Sequence, residues 1–281
     1  MEKQIVKDAV LTGERALFAS HGLRAERCVF EDGESPLKES SDLSLEQCLF
    51  RWKYPLWYCK NVELAHSALY TMARAGIWYT ENISLSDVQI EAPKNFRRCR
   101  GVKLTDVSFS DAAETLWSCR DIEMKNVLAK GDYLLMNSEN IDVDRLTLYG
   151  NYSFDGTKNV HIRHSRLLTK DAFWNSENVT VEDSFISGEY LGWNAKNLTL
   201  INCTVESLQG MCYIEHLVMK NCRLINTTLA FEYSSVDAEI EGKIDSVMNP
   251  TSGRITADHI DQLILEPNRI DPKKTTIICK N

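Results

Sequence analysis

One apolar residue recurs about every nineteen positions along almost the whole of this 281-residue chain. The anchors are Leu23, Leu43, Val62, Ile83, Val102, Ile122, Ile141, Val160, Val179, Leu198, Leu217, Val236 and Ile255, spaced 20, 19, 21, 19 and 20, then 19 seven times. A period held that tightly means stacked coils, each burying its apolar face against its neighbours. With each anchor counted as slot 0, slot +2 is nearly always apolar (Leu64, Leu85, Leu104, Met124, Val143, Ile162). That alternation is a short strand with one buried face. Slot +4 carries polar turn residues, and slots +5 and +7 return to the core as a second strand. A third apolar stretch, such as Gly76-Ile77-Trp78-Tyr79, completes the coil as an expected third strand.

Slot −1 reads Asp42, Asn61, Asn82, Gly101, Asp121, Asn140, Asn159, Asn178, Asn197, His216. Asn and Asp tolerate left-handed backbone angles, and stacked amides can bond coil to coil as a ladder. Slot −2 alternates in sign through Lys60, Glu81, Arg100, Arg120, Glu139, Lys158, Glu177, Lys196 and Glu215, with Arg100 beside Arg120 as the exception. Side chains of one slot in successive coils lie about 4.8 Å apart, so alternation replaces repulsion with weak attraction.

Leu198-Thr-Leu-Ile-Asn-Cys imitates a leucine-rich repeat, but no segment has the apolar period of a helix. The expected fold is all-β: a right-handed parallel β-helix of about 12–13 coils in a single domain over residues 1–281. Residues 1–20 and 239–281 lose the slots and are expected to form irregular caps around regular coils at 21–238. Pro250, Pro267 and Pro272 are expected to stop further strand addition.

The repeat Asn-(Val/Ile/Leu)-x-(Leu/Val)-x-x-(Cys/Ser/Val)-x-(Phe/Leu/Ile), over roughly residues 20–225, resembles the pectate-lyase-like superfamily of single-stranded right-handed β-helices. More narrowly, Gly13-Glu-Arg-Ala-Leu-Phe18, Gly33-Glu-Ser-Pro-Leu-Lys38 and Trp52-Lys-Tyr-Pro-Leu-Trp-Tyr-Cys59 are similar to a bacterial family known only as a domain of unknown function. The resemblance implies a fold and a provenance, and no activity.

A net charge of −8, with the acids scattered, argues against a nucleic-acid partner. Nothing is long and apolar enough to span a membrane, and the first residues lack the apolar core of a signal peptide, so a cytoplasmic address is expected. The nine cysteines contain no Cys-x-x-Cys pair. Seven sit in slots +5 and −3, where other coils place Ser, Thr or Ala, and read as small, reduced core residues. No metal and no cofactor is expected.

Two constellations could carry chemistry. Asp142, Asp144, His161 and Arg163 stand on the outer face of the first strand, where enzymes of the superfamily that the chain resembles place acids with a nearby base. Their slots lie about 7 Å apart, workable for a carboxylate pair acting on a polysaccharide. Column +3 nevertheless runs Lys125, Asp144, Arg163, Glu182, and a surface salt ladder is the favoured reading.

The second constellation is slot −5: Trp57, Trp78, Arg97, Trp117, Met136, Asp155, Trp174, Trp193. Slot −6 is apolar, so the Trp column should face outward as a platform for a carbohydrate-like or acidic ligand, unless the indoles only stack on one another. Arg97, between Trp78 and Trp117, is expected to be sandwiched by them and to present donor edges to an acid. Three readings stand open: a ligand- or partner-binding protein, a polysaccharide or oligosaccharide lyase or hydrolase, and a scaffold whose stripe is an oligomer interface.

Overall fold

The computed structural model describes residues 4–280, and the chain divides into two compact units, Met1–Asp142 and Val143–Asn281. Each unit is a parallel β-solenoid. In the first, strands Ser41–Glu46, Lys60–Leu69, Glu81–Ile90, Arg100–Phe109 and Arg120–Lys130 stack in register, with Leu43 opposite Val62, Val62 opposite Ile83, Ile83 opposite Val102 and Val102 opposite Ile122. In the second, Val160, Val179, Leu198, Leu217 and Val236 form the same column. Within each unit the repeat places these anchors against their counterparts one coil on. The 21-residue coil after Val62 keeps this register, because its extra residues fall after the second strand.

Slots 0, +2, +5 and +7 point inward, as in Ile83, Leu85, Val88 and Ile90, all no more than 1% exposed. At slot +4 the backbone is left-handed, which bends the first strand into the second (Asp87 φ 52°, Asp106 φ 55°, Asn202 φ 52°). Slot −1 is left-handed as well, from Asp42 through Asn61 and Asn178 to His216. Asn and Asp predominate in both slots, joined by Gly101 in slot −1, because they reach this region at the least steric cost.

The third side of the coil is not a strand. Slots −8, −6 and −4 are all left-handed in most coils: Lys94, Phe96 and Arg98 have φ of 61°, 56° and 53°, and Glu114, Leu116 and Ser118 follow suit. Alternate left-handed residues turn the chain too sharply for a strand ladder, leaving isolated bridges such as Trp78–Arg97, Arg97–Trp117 and Ala230–Val247; a ladder returns on this side only at the C-terminal end, where Lys243–Met248 pairs with His259–Ile264. The alternation of facing survives, with slot −6 fully buried (Leu56, Ile77, Phe96, Leu116, Phe154, Phe173) and slot −5 half-buried.

This geometry explains the small polar core slots. Next to the bends a backbone N–H points inward and needs an acceptor. The next coil supplies one: Thr80 Oγ1 accepts from Cys59 N at 3.3 Å, Ser138 Oγ from Cys119 N at 2.9 Å, and Ser67 Oγ from Cys48 N at 2.9 Å. Cys119 Sγ does the same for Cys99 N at 3.4 Å. Eight of the nine cysteines are buried, Cys279 is exposed, and none is in a disulfide.

Several terminal expectations need correction. Residues 4–11 are not an irregular cap, because Gln4–Lys7 pairs in register with Leu23–Glu26 and Val10–Leu11 with Val29–Phe30. Nor do the prolines end strand addition. Ser252–Ala257 adds to Ser235–Ile240, and Thr275–Cys279 adds in turn after a 3-10 turn at Pro272–Lys274, where a proline lacking its N–H is harmless. Val236 pairs with Gly253 and Ala238 with Ile255, so Ile255 occupies slot +2 of a shortened coil rather than slot 0. With the terminal coils included, the solenoid has about 15 turns rather than 12–13. Among the described residues there is no α-helix, and hence no helix long and apolar enough to cross a membrane.

Candidate functional site

The aromatic column of the first unit is a closed stack. Trp57 and Trp78 lie face to face with centroids 5.0 Å apart and planes 5° from parallel. The Arg97 guanidinium carbon then sits 4.8 Å from the ring of Trp78 and 4.8 Å from that of Trp117. Tyr54 packs on Trp57 at 4.6 Å, and Tyr133 meets Trp117 edge-on at 6.3 Å. Indole N–H groups are also engaged: Trp57 donates to Ala75 O, Trp78 to Lys94 O and Trp117 to Tyr133 O, each the slot −8 carbonyl of the next coil. A sugar platform needs open ring faces, and here the faces are spent on each other and on Arg97.

Arg97 is sandwiched as its neighbours require, but its acid comes from the chain itself. Arg97 Nη2 lies 3.3 Å from Glu114 Oε2, and Lys94 Nζ lies 3.2 Å from Glu114 Oε1. The donor edge expected to meet an acidic ligand therefore meets Glu114. The signal was in the sequence, since Glu114 stands in slot −8, whose side chains flank the slot −5 ring.

The four outer-face candidates fall in both units. Asp142 is exposed at the end of the first. In the second, Asp144 Oδ1 lies 2.8 Å from His164 Nδ1, and its Oδ2 lies 2.9 Å from Arg145 Nη2. The hydrogen bond from His164, helped by the charges of Arg145 and Arg163, holds the Asp144 carboxyl below the usual carboxylate range. A carboxylate so stabilised is a weak proton acceptor. Arg163 Nη1 donates to His161 Nδ1 at 2.7 Å, and His161 Nε2 lies 3.5 Å from Glu182 Oε2. His161 is thus bound between a guanidinium and a carboxylate within the surface charge columns. The slot −2 ladder pairs likewise, with Lys158–Glu177 and Lys196–Glu215 each at 3.4 Å; Arg100 and Arg120 escape mutual repulsion by turning to Asp121 (3.0 Å) and Glu139 (2.9 Å).

Four buried thiols of the coils, Cys48, Cys59, Cys99 and Cys212, are poor nucleophiles at neutral pH. Burial pushes Cys48 up to about 11 and Cys59 and Cys212 up to about 12, and Cys99 is raised well above the ordinary thiol range. Among the described residues no group of three or more His, Cys, Asp or Glu is placed to hold a metal ion.

A groove of about 510 Å³ crosses four coils of the first unit on a face with no aromatic residues. One wall is the slot −1 column of Asp42, Asn61 and Asn82, ending at Gly101; the other is slot +1, with Ser44, Glu63, Ser84 and Lys103. Between them runs the backbone of Leu43, Val62 and Ile83, whose side chains are buried beneath. Asn61 Nδ2 donates to Asp42 Oδ1 at 2.8 Å and Asn82 Nδ2 to Asn61 Oδ1 at 3.1 Å. The ladder breaks at Gly101, which offers no side chain; a Cβ there would stand 2.8 Å from Asn82 Oδ1. It resumes when Asn140 Nδ2 donates to Asp121 Oδ1 at 2.9 Å. Sequence reasoning read this column as structure alone. The lone glycine within it was the available sign of an opening.

No curated protein matches the sequence. Two of the similar solved structures are the A-module of the mannuronan C-5 epimerase AlgE4 of Azotobacter vinelandii (11% identity, 98% of this chain and 88% of that one, TM-score 0.30) and PfbA, a surface adhesin of Streptococcus pneumoniae (8%, 98% and 82%, TM-score 0.34). Likenesses that distant carry nothing over to individual residues here. The signature of the family described as protein of unknown function (DUF3737) matches residues 4–278, and the chain belongs to that family.

Proposed function

We propose that this DUF3737 protein is a binding protein, and that the groove over slots −1 to +1 of its first unit takes an extended, neutral, polyhydroxylated ligand of the oligosaccharide class. The observation that carries this reading is the spare bonding capacity of the amide column. Each Asn side chain has two N–H donors and two acceptor lone pairs, and the ladder bonds of Asn61 and Asn82 use only part of them. The remaining amide groups of Asn61 and Asn82 lie one coil, about 4.8 Å, apart, and the Ser44 and Ser84 hydroxyls stand opposite in alternate coils. A chain of hydroxyl-bearing rings along the groove meets an amide in the two central coils, at Asn61 and Asn82, and a serine hydroxyl in alternate coils, at Ser44 and Ser84. Most lining residues are uncharged; Lys103 is already paired with Glu123 at 3.1 Å, and Asp42 and Glu63 leave the walls slightly acidic, which favours a neutral ligand over an anionic one.

Binding is favoured over turnover because the outer-face candidates Asp144, His161 and Arg163 are engaged with protein partners, and the Asp144 carboxyl is shifted away from the range useful to a general acid. The test is calorimetric titration of the whole chain with a panel of neutral and acidic oligosaccharides. Ser84→Trp, at an exposed outward position, should fill the groove and abolish binding while the melting temperature stays unchanged. Asp144→Asn with His161→Ala should leave binding intact. Binding that survives Ser84→Trp, or a glycan-cleaving activity lost in the double variant, overturns this reading.

A further inference from the structure

The third side of the second unit differs from that of the first in a way that points to a ligand of opposite character. Where the first unit has the tight pair Trp57–Trp78, the second has Trp174 and Trp193 at 6.0 Å with planes 38° apart, an open wedge rather than a stack. Trp174 is fixed by its own N–H, which donates to Tyr190 O at 2.9 Å, and by an edge contact with Tyr152 at 6.1 Å. In slot −5 of the preceding coil stands Asp155 instead of an aromatic or Arg97-like residue. Asn175 Nδ2 holds its carboxylate at 3.0 Å.

Beside this wedge is a largely buried acid whose carboxylate has no protein partner among the described residues. Slot −8 side chains pack on the slot −5 ring of their own coil, as Tyr54 does on Trp57 at 4.6 Å and Tyr190 on Trp193 at 6.2 Å. Asp171 holds slot −8 of the Trp174 coil, between Tyr152 and Tyr190 in the same column, and is only 7% exposed. Among the described residues no side-chain hydrogen bond or ion pair reaches its carboxylate. The nearest cation, Lys170, is turned to Glu189 at 2.9 Å. Burial, reinforced by the charge of Glu189, pushes the Asp171 carboxyl above its ordinary range, the mark of a site short of one positive charge.

We infer that the wall formed by Asp171, Trp174 and Trp193, with Asp155 at its edge, binds an aliphatic diamine or polyamine. An ammonium group supplies the N–H donors that the Asp171 carboxylate lacks and lies against indole faces whose quadrupole attracts cations. A second ammonium reaches Asp155, and the methylene spacer covers the apolar ring edges. An anion would meet two carboxylates here, Asp171 and Asp155, and a neutral sugar would leave Asp171 without a counter-charge.

The experiment is calorimetric titration of the whole chain with spermidine, read in parallel by tryptophan fluorescence. One site per chain and a fluorescence change are expected. Asp171→Asn, nearly isosteric and relieved of a buried charge, should melt no lower than the parent and bind at least about tenfold more weakly. Asp155→Asn should weaken binding less, and Asp87→Asn, which removes the same charge in the first unit, should leave it unchanged. Absence of saturable binding, or equal weakening by Asp171→Asn and Asp87→Asn, overturns the assignment, the second outcome showing attraction to net charge alone. Neither result bears on the groove of the first unit.

Discussion

Ser138 Oγ accepts the backbone N–H of Cys119, one coil earlier, at 2.9 Å and donates in turn to Leu116 O at 2.6 Å. Both backbone groups are buried and lie beside left-handed residues, Ser118 and Leu116, where the regular ladder is interrupted. The hydroxyl is therefore part of the backbone bonding of the coil rather than a polar defect in its core.

Ser138→Ala should accordingly cost about 1–3 kcal/mol, the penalty for stranding a buried donor and acceptor together. Ser138→Cys should cost less, since Cys119 already accepts from Cys99 N at 3.4 Å. Urea unfolding of both variants measures the difference. Equal losses would mean that side-chain volume, not hydrogen bonding, sets the residue type in this column.

Arg97→Lys should destabilise the first unit by about 1–2 kcal/mol although the charge is kept. The guanidinium plane contacts Trp78 and Trp117 at 4.8 Å each, and an ammonium cannot fill a flat slot between two rings. Arg97→Met, which restores an apolar filler but leaves Glu114 facing only Lys94, separates packing from charge. Near-UV circular dichroism of the indoles and denaturant midpoints read both effects. Stability unchanged in Arg97→Lys would reduce the sandwich to coincidence.

The buried thiols make the fold sensitive to alkali. Cys48 and Cys59 titrate near 9 when unfolded and at about 11 and about 12 when folded, because burial disfavours the thiolate. Above about pH 9 the unfolded chain has released protons that the native chain retains, so stability falls as pH rises through the window from 9 to 12. Below pH 9 these thiols should contribute no pH dependence. A thiol reagent at neutral pH should modify Cys279 alone in the native protein, and all nine cysteines once it is denatured. Rapid native labelling at Cys48 or Cys59 would contradict the packing.

The solenoid was legible in the chain because stacking imposes one condition per slot, repeated a dozen times. Leu43, Val62, Ile83 and Val102 need only be apolar and evenly spaced for the register to follow, and Asn61, Asn82 and Asn178 announce the left-handed bend by their chemistry. Periodicity says less where the backbone departs from a simple period. The third side reads as a strand because inward and outward residues alternate, yet Phe96, Leu116 and Phe154 reach that alternation through left-handed angles that no propensity of Phe or Leu reveals. Facing was likewise predictable, and openness was not. Trp57, Trp78, Trp117, Trp174 and Trp193 share one slot, but whether two indoles close at 5.0 Å or part at 6.0 Å depends on the residue that fills the same slot one coil away, Arg97 in one unit and Asp155 in the other. The groove at Gly101 and the lone carboxylate of Asp171 belong to the same category. Both arise from what a neighbouring coil fails to supply, and a missing partner exists only once the coils are stacked.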